Sequence, residues 1–297
     1  PHARWEIPES YCDQLIAPEW QWIYETLVLN DWFTDELFDI TNGHKVIAPV
    51  SRLLVDTERL LPDEVEPMAR HGMGCIYSHG PQGERLRREL SAQERQALLD
   101  RYYYPHHQAL VKAIQQSLDA EGRCLFVDCH SFPDEPFPYE DQNRARPDIC
   151  LGTLAENTPP ELVEMLTQTF TDSGYEVAVD TPFSGCALPG RYIGDNRVIA
   201  IMIEVNRRLY LDQTAPPYCE AVVNESNLPV RSANAARLKR QLQKAILGAL
   251  REFVKPLPRV DNANRPPESQ RQLSRFLQEA KEGDISPEMQ QWWWDRY

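Results

Sequence analysis

Arg123-Cys124-Leu125-Phe126-Val127-Asp128-Cys129-His130-Ser131-Phe132-Pro133 begins as a short apolar run and ends in an aspartate and a histidine. Cys124 to Val127 have the composition of a strand covered on both faces, which predicts a central strand of a sheet. Pro133, Pro136 and Pro138 forbid a regular continuation, because proline offers no amide hydrogen to a ladder or helix. Asp128 and His130 therefore fall where a buried strand opens into a loop, the place where open α/β sheets bind ligands. Cys129 and His130 are neighbours on a strand, so their side chains point to opposite faces, and this argues against a reactive thiol beside the imidazole.

Downstream, Val198-Ile199-Ala200-Ile201-Met202-Ile203-Glu204-Val205 is the most strand-like run in the chain. It carries one charge, Glu204, near its end. Burying a carboxylate without a partner is costly. An ion pair with Arg207 or Arg208 would explain it, but the parallel with His130 at another strand end favours a site role. Between the two runs the pattern predicts a helix over 160–172, a strand over 175–179 and a turn at Asp180-Thr181-Pro182-Phe183-Ser184-Gly185.

Upstream, Ser91 and Glu94 form a capping box that starts a helix with Leu98, Leu99, Tyr102 and Tyr103. Pro105 breaks or kinks it, and a second piece from His107 carries Leu110, Val111, Ile114 and Leu118 at helical spacing. Residues 46–50 read as a short strand, and 62–90, rich in Pro, Gly and charge, as a surface excursion. Leu238, Leu242, Ile246, Leu250 and Phe253 mark an amphipathic helix over 234–254. A proline-rich linker, a short charged helix over 268–281 and Trp292-Trp293-Trp294-Asp295-Arg296-Tyr297 follow. Strands alternating with helices give an α/β class with a mixed central sheet flanked by helices. The division is one domain over 1–254, with 255–297 as linker and tail packed on it.

The 297 residues carry a formal charge of -14, which argues against nucleic acid as partner because no basic face is available to neutralise phosphates. No run approaches a membrane span, so no membrane partner is expected. The seven cysteines are scattered without a CxxC pair, which suits reduced thiols and a cytoplasmic location. A small anionic substrate needs only a few local arginines and remains compatible with the acidic composition.

Ligand-type residues stand near predicted loop ends at His2, at Asp35-Glu36 and at His130. Two imidazoles and one carboxylate are a common catalytic zinc set that leaves a position open for water. A separate carboxylate must then move protons, and Glu204 meets that need. Alone, each has a plainer reading: His2 as a surface residue at a chain start, Asp35 or Glu36 as a solvated helix carboxylate, and Arg52 with Asp56 as an ion pair.

The order PHARWEIP (1–8), DWFTDELF (31–38), SRLLVD (51–56), YYYPHHQAL (102–110), VDCHSFP (127–133), RPDICLGT (146–153), TPFSG (181–185) and IEVNRRLYLD (203–212) resembles the N-formylglutamate amidohydrolase family over about positions 1 to 213. That resemblance implies a zinc-dependent hydrolase related to the carboxypeptidase-like and aspartoacylase-like enzymes, with a phosphorylase/hydrolase-like fold. It implies Zn2+ as cofactor, with His2, Asp35 or its rival Glu36, and His130 as metal ligands. Glu204 would be general base and acid, and Arg52 would polarise the carbonyl or bind substrate. Arg144, Arg146, Arg207 and His107 would bind a small anionic N-acyl amino acid; His106 competes with His107 for the family's Pro-Tyr-His position. Two departures touch the substrate region: Ala3-Arg4 stand where the family has Ser-Gly, and Asp180 where it has Asn.

Overall fold

The computed structural model describes residues 2–40, 43–143, 146–212 and 218–254. In chain order it contains helices α1 (Glu19–Leu29), α2 (Thr34–Leu37), α3 (Ala92–Leu98) and α4 (Tyr104–Glu121), then strands β1 (Cys124–Phe132) and β2 (Ile149–Gly152). Helix α5 (Pro160–Asp172), strands β3 (Val177–Val179) and β4 (Val198–Asn206), and helix α6 (Ala235–Phe253) complete the order. The sheet runs β1-β4-β2-β3. Strand β4 is parallel to β1 and antiparallel to β2, and β2 is parallel to β3, so the sheet is mixed.

Strict alternation along β1 and β4 gives the sheet two different faces. Leu125, Val127 and Cys129 on β1, with Ile199, Ile201, Ile203 and Val205 on β4, join a core built with Leu162, Leu166 and Phe170 of α5 and Leu238, Leu242 and Ile246 of α6. The intervening Cys124, Phe126, Val198, Ala200 and Met202 face a second core with Ile114 and Leu118 of α4 and Leu188, Tyr192 and Ile193. All nine residues of β4 are buried, which is why it reads as an apolar run from Val198 to Ile203 before Glu204 interrupts it. The alternation on the second face then turns polar: Phe126 is followed by Asp128 and His130, and Met202 by Glu204. The candidate site grows from that change.

Several expectations need correcting. Strand β1 stands at one end of the described order and β4 occupies the interior. Residues 46–50 form no ladder, although Ser51 N donates to the Glu6 carbonyl at 3.1 Å. Pro105 does not break the helix, because the π-turn at Leu99–Tyr103 widens the coil before it and leads directly into α4. Residues 62–90 are no surface excursion: Met73, Cys75, Tyr77, Leu86 and Arg87 are almost wholly buried. Gly72 there has φ 73°, and a Cβ on it would lie 2.5 Å from His79 Nδ1, so the glycine permits close packing. The linker and tail expected over 255–297 lie outside the described residues.

Candidate active site

Four stretches of chain meet at the carboxyl ends of β1 and β4. The first is the start of the chain. His2 is fully buried, because its backbone is tied to the turn after α1: Asp31 N donates to the His2 carbonyl at 3.0 Å, and His2 N to Asp31 Oδ2 at 3.3 Å. The second is the turn over residues 51–58, which supplies Arg52, Asp56 and Glu58. The third and fourth are β1 and β4, whose register sets His130 directly opposite Glu204.

Each imidazole is held at one ring nitrogen by an aspartate and faces Glu58 with the other. His2 Nε2 lies 3.2 Å from Asp56 Oδ1, and its Nδ1 lies 3.2 Å from Glu58 Oε2. His130 Nδ1 lies 3.3 Å from Asp31 Oδ2, and its Nε2 lies 3.4 Å from Glu58 Oε1. Asp128 Oδ1 is 2.9 Å from the same Nε2, while its other oxygen accepts from Ala187 N at 2.7 Å. An aspartate behind each histidine is the arrangement that fixes tautomer and ring orientation in metal sites. Asp31 is itself anchored, since its Oδ1 accepts from Ser131 N at 2.9 Å and Ser131 Oγ at 3.1 Å.

The donor set suits a divalent cation. Tetrahedral zinc with bonds of about 2.0–2.1 Å separates its ligand atoms by roughly 3.3 Å, close to the two histidine–Glu58 distances. His2, Asp56 and Glu58, and Glu58, Asp128 and His130, are groups whose donor atoms lie within 4.8 Å of one another. Charge points the same way. Asp31, Asp56, Glu58, Asp128 and Glu204 are buried or half-buried carboxyl groups, against the guanidiniums of Arg52, Arg59 and Arg207. Burial pushes Glu58 up, yet the charges of His130 and His2 outweigh it and hold the carboxylate well below its ordinary range. Asp31 behaves alike: desolvation is overcome by His130, Arg52 and Arg207. His130 is the reverse, a buried imidazole that the carboxylates of Glu58 and Asp128 push well above its ordinary value.

Glu204 differs from the other acids. Its Oε2 is buried and has no hydrogen-bond partner. Desolvation pushes its carboxyl up to about 8, against the charge of His130 and with help from Asp31 and Glu58. It opens on a cleft of 1840 Å³ that Arg52, Glu58, Asp128, His130 and Arg207 also line.

The chain from 1 to 211 matches the family model for N-formylglutamate amidohydrolase. It belongs to the N-formylglutamate amidohydrolase family. The matched span contains every residue of the cluster just described. A solved N-formylglutamate amidohydrolase from Ralstonia eutropha JMP134 superposes with a TM-score of 0.67 at 23% identity, covering 85% of this chain and 91% of that one. A gene product of Agrobacterium tumefaciens superposes with a TM-score of 0.52 at 17% identity, covering 84% and 89%. At those identities both show a shared fold. No curated protein matches the chain by sequence.

Against this family frame the residues expected from sequence fall into three groups. His2, Arg52, His130 and Glu204 come together. Arg52 Nη2 lies 2.9 Å from His2 Nδ1 and 3.4 Å from Glu58 Oε2, beside two candidate ligand atoms. Arg207 reaches the cleft but is a brace: it donates to Ser131 Oγ at 3.1 Å, to the Ser131 carbonyl at 3.2 Å and to the Val28 carbonyl. His107 is also structural in its contacts. Burial holds its pKa down, so the neutral ring can donate from Nε2 to the Thr57 carbonyl, 2.8 Å away, fixing the chain between Asp56 and Glu58. Arg146 lies 5.7 Å from the Phe132 ring and 5.4 Å from that of Phe183. It pairs with Glu140, while its Nε and Nη1 are buried without partners. Arg144 lies outside the described residues.

Asp35 and Glu36 do not reach the site. Thr34, Leu37 and Phe38 turn inward from α2, so the helical period sends the two acids outward. Glu36 is exposed and pairs with Arg231, and Asp35 lends its carbonyl to Lys45. The carboxylate facing both imidazoles is Glu58. Sequence reasoning passed over Glu58 and gave Asp31 no role in the site. The available signal was the Asp56-Thr57-Glu58-Arg59 run, whose alternate acids share one side of an extended turn.

Proposed function

We propose that the protein is a zinc amidohydrolase that removes the acyl group, most simply formyl, from the nitrogen of an acidic amino acid such as N-formyl-L-glutamate. One observation carries this reading: two oriented imidazoles converge on Glu58, and the His130 imidazole stands opposite Glu204, whose Oε2 has no hydrogen-bond partner, in a chain of this family. His2, Glu58 and His130 would hold the metal. When bound, zinc polarises the amide carbonyl and acidifies water.

The protein's own groups supply the rest. Glu204 accepts a proton from the attacking water and returns it to the departing amine nitrogen, so water is divided between the acyl acid and the free amine. Arg52, next to the ligand atoms, steadies the negative charge that gathers on the carbonyl oxygen. Arg146 has two guanidinium nitrogens without a hydrogen-bond partner and an aromatic wall, which suits it to bind a substrate carboxylate. Asp31, Asp56 and Arg207 keep the histidines and Ser131 in place. Glu204 on β4 and Asp31 in the turn after α1 sit on separate elements, so a small shift of β4 against that turn would misalign the two.

Metal analysis of the purified protein and formate release from N-formyl-L-glutamate test this directly. About one zinc per chain and turnover are expected. Glu204→Gln should keep the metal and lose about 100- to 10,000-fold in kcat, whereas His130→Ala and Glu58→Ala should lose the metal. A Glu204→Gln protein with near-normal turnover would remove Glu204 from its role.

A further inference from the structure

The cleft is large for so small a substrate. Sites for drug-sized ligands occupy about 300–1,000 Å³, and this one reaches 1840 Å³. It also continues. A second hollow of 610 Å³ shares Tyr104, His107, Gln108, Val111 and Arg191 with the first. The near end is fixed beside the metal ligands, because His107 bonds to the Thr57 carbonyl, next to Glu58. From there the hollow follows one stripe of α4, since Tyr104, Gln108, Val111, Lys112 and Gln115 recur at helical spacing.

Its chemistry is unlike the rest of the protein. No acidic residue lines it, although the chain has 45 acidic and 31 basic residues. Lys112 and Arg191, both exposed, are among its lining residues, and Tyr104, 40% exposed, adds an aromatic ring one turn before the amide of Gln108. Such a shelf suits an anionic chain with amide groups, continuous with whatever occupies the catalytic end.

We propose that the substrate is an extended acidic amide, whose tail beyond the scissile bond lies along α4 with a carboxylate between Lys112 and Arg191. This rests on the amidohydrolase reading above and adds the substrate class to it. The tail could be joined on either side of the bond, as an acidic peptide on the amino-acid side or as a dicarboxylic acyl group on the other. Both present the same amide-linked carboxylate.

The test compares kcat/KM of the zinc-loaded protein for N-formyl-L-glutamate, N-formyl-L-glutamyl-L-glutamate and N-glutaryl-L-glutamate. At least one extended amide should exceed N-formyl-L-glutamate by about tenfold, chiefly through KM, and the one that gains identifies the side carrying the tail. Lys112→Glu and Arg191→Glu should each cut the ratio of extended to short substrate by about fivefold or more. Equal or better use of N-formyl-L-glutamate would overturn the proposal and leave the amidohydrolase reading standing. So would a gain that survives both charge reversals. Failure to turn over any of the three compounds would overturn the amidohydrolase reading and this inference together.

Discussion

Glu204 and His130 face each other across paired strands, and in the mechanism proposed above the protonation of Glu204 decides whether the site can act. A general base must be ionised, so activity should rise with pH through the Glu204 titration. Without metal, burial pushes that carboxyl up to about 8. A neighbouring divalent cation favours the charged form and brings it down, so the acidic limb of kcat/KM should lie at lower pH in the loaded protein than this metal-free value. The same shift predicts a stability effect of fixed sign. A carboxyl that binds its proton more tightly when folded loses stability as pH rises from its unfolded value, about 4.5, to about 8. Melting curves of metal-free protein should therefore fall across that window, and Glu204→Gln should flatten the fall; an unchanged slope would contradict the burial argument. Glu25 offers a second case away from the site. It is fully buried, with neither oxygen hydrogen-bonded to a donor, and desolvation with Glu84 beside it pushes its carboxyl well up. Glu25→Gln, which can donate to Glu84, is expected to raise the melting temperature at pH 8 by about 2–4 °C per kcal/mol gained and to change little at pH 4.

Strands β1 and β4 show how an element turns alternation into chemistry. One face is apolar throughout and covered by α5 and α6; the other is apolar until Met202 and then presents Glu204. Strand β4, α5 and α6 were readable because each has a regular period that a packed face enforces, and the expected spans of 198–205, 160–172 and 234–254 agree with the observed elements to within a residue at each end. The π-turn ahead of Pro105 was not readable, since it accommodates one proline within a continuous helix and leaves no period of its own. The end of β2 gives a sharp test. A Cβ on Gly152 would lie 2.4 Å from the Gly185 carbonyl oxygen, a backbone atom that cannot step aside. Gly152→Ala is expected to destabilise the protein by about 1–3 kcal/mol. Denaturant melts would check it, and a neutral outcome would mean that the Gly185 loop is not held against β2.

Across the molecule, acidic side chains gather where one cation would balance them. Removing metal by chelation should then cost stability as well as activity. If the metal is present at about a thousandfold over its dissociation constant, binding contributes about 4 kcal/mol, or roughly 10 °C in melting temperature. An unchanged melting temperature after complete chelation would argue that no metal is held by the folded protein. Among the described residues no helix is long and apolar enough to cross a membrane.

The sequence by itself determined the parts that rest on local pattern: the α/β class, the strand ends bearing His130 and Glu204, the helices with a clear apolar stripe, and the family through its motifs. Only the tertiary structure decided which carboxylate meets the two imidazoles. Asp35 and Glu36 carry the right chemistry, but the helical turn that buries Thr34, Leu37 and Phe38 sends them outward. Glu58 arrives from an irregular turn held by Arg87, whose guanidinium donates to the Leu53 and Leu54 carbonyls, and by His107 at Thr57. Those long-range hydrogen bonds leave no periodic trace along the chain, so the position of a side chain on such a turn is set by the rest of the fold.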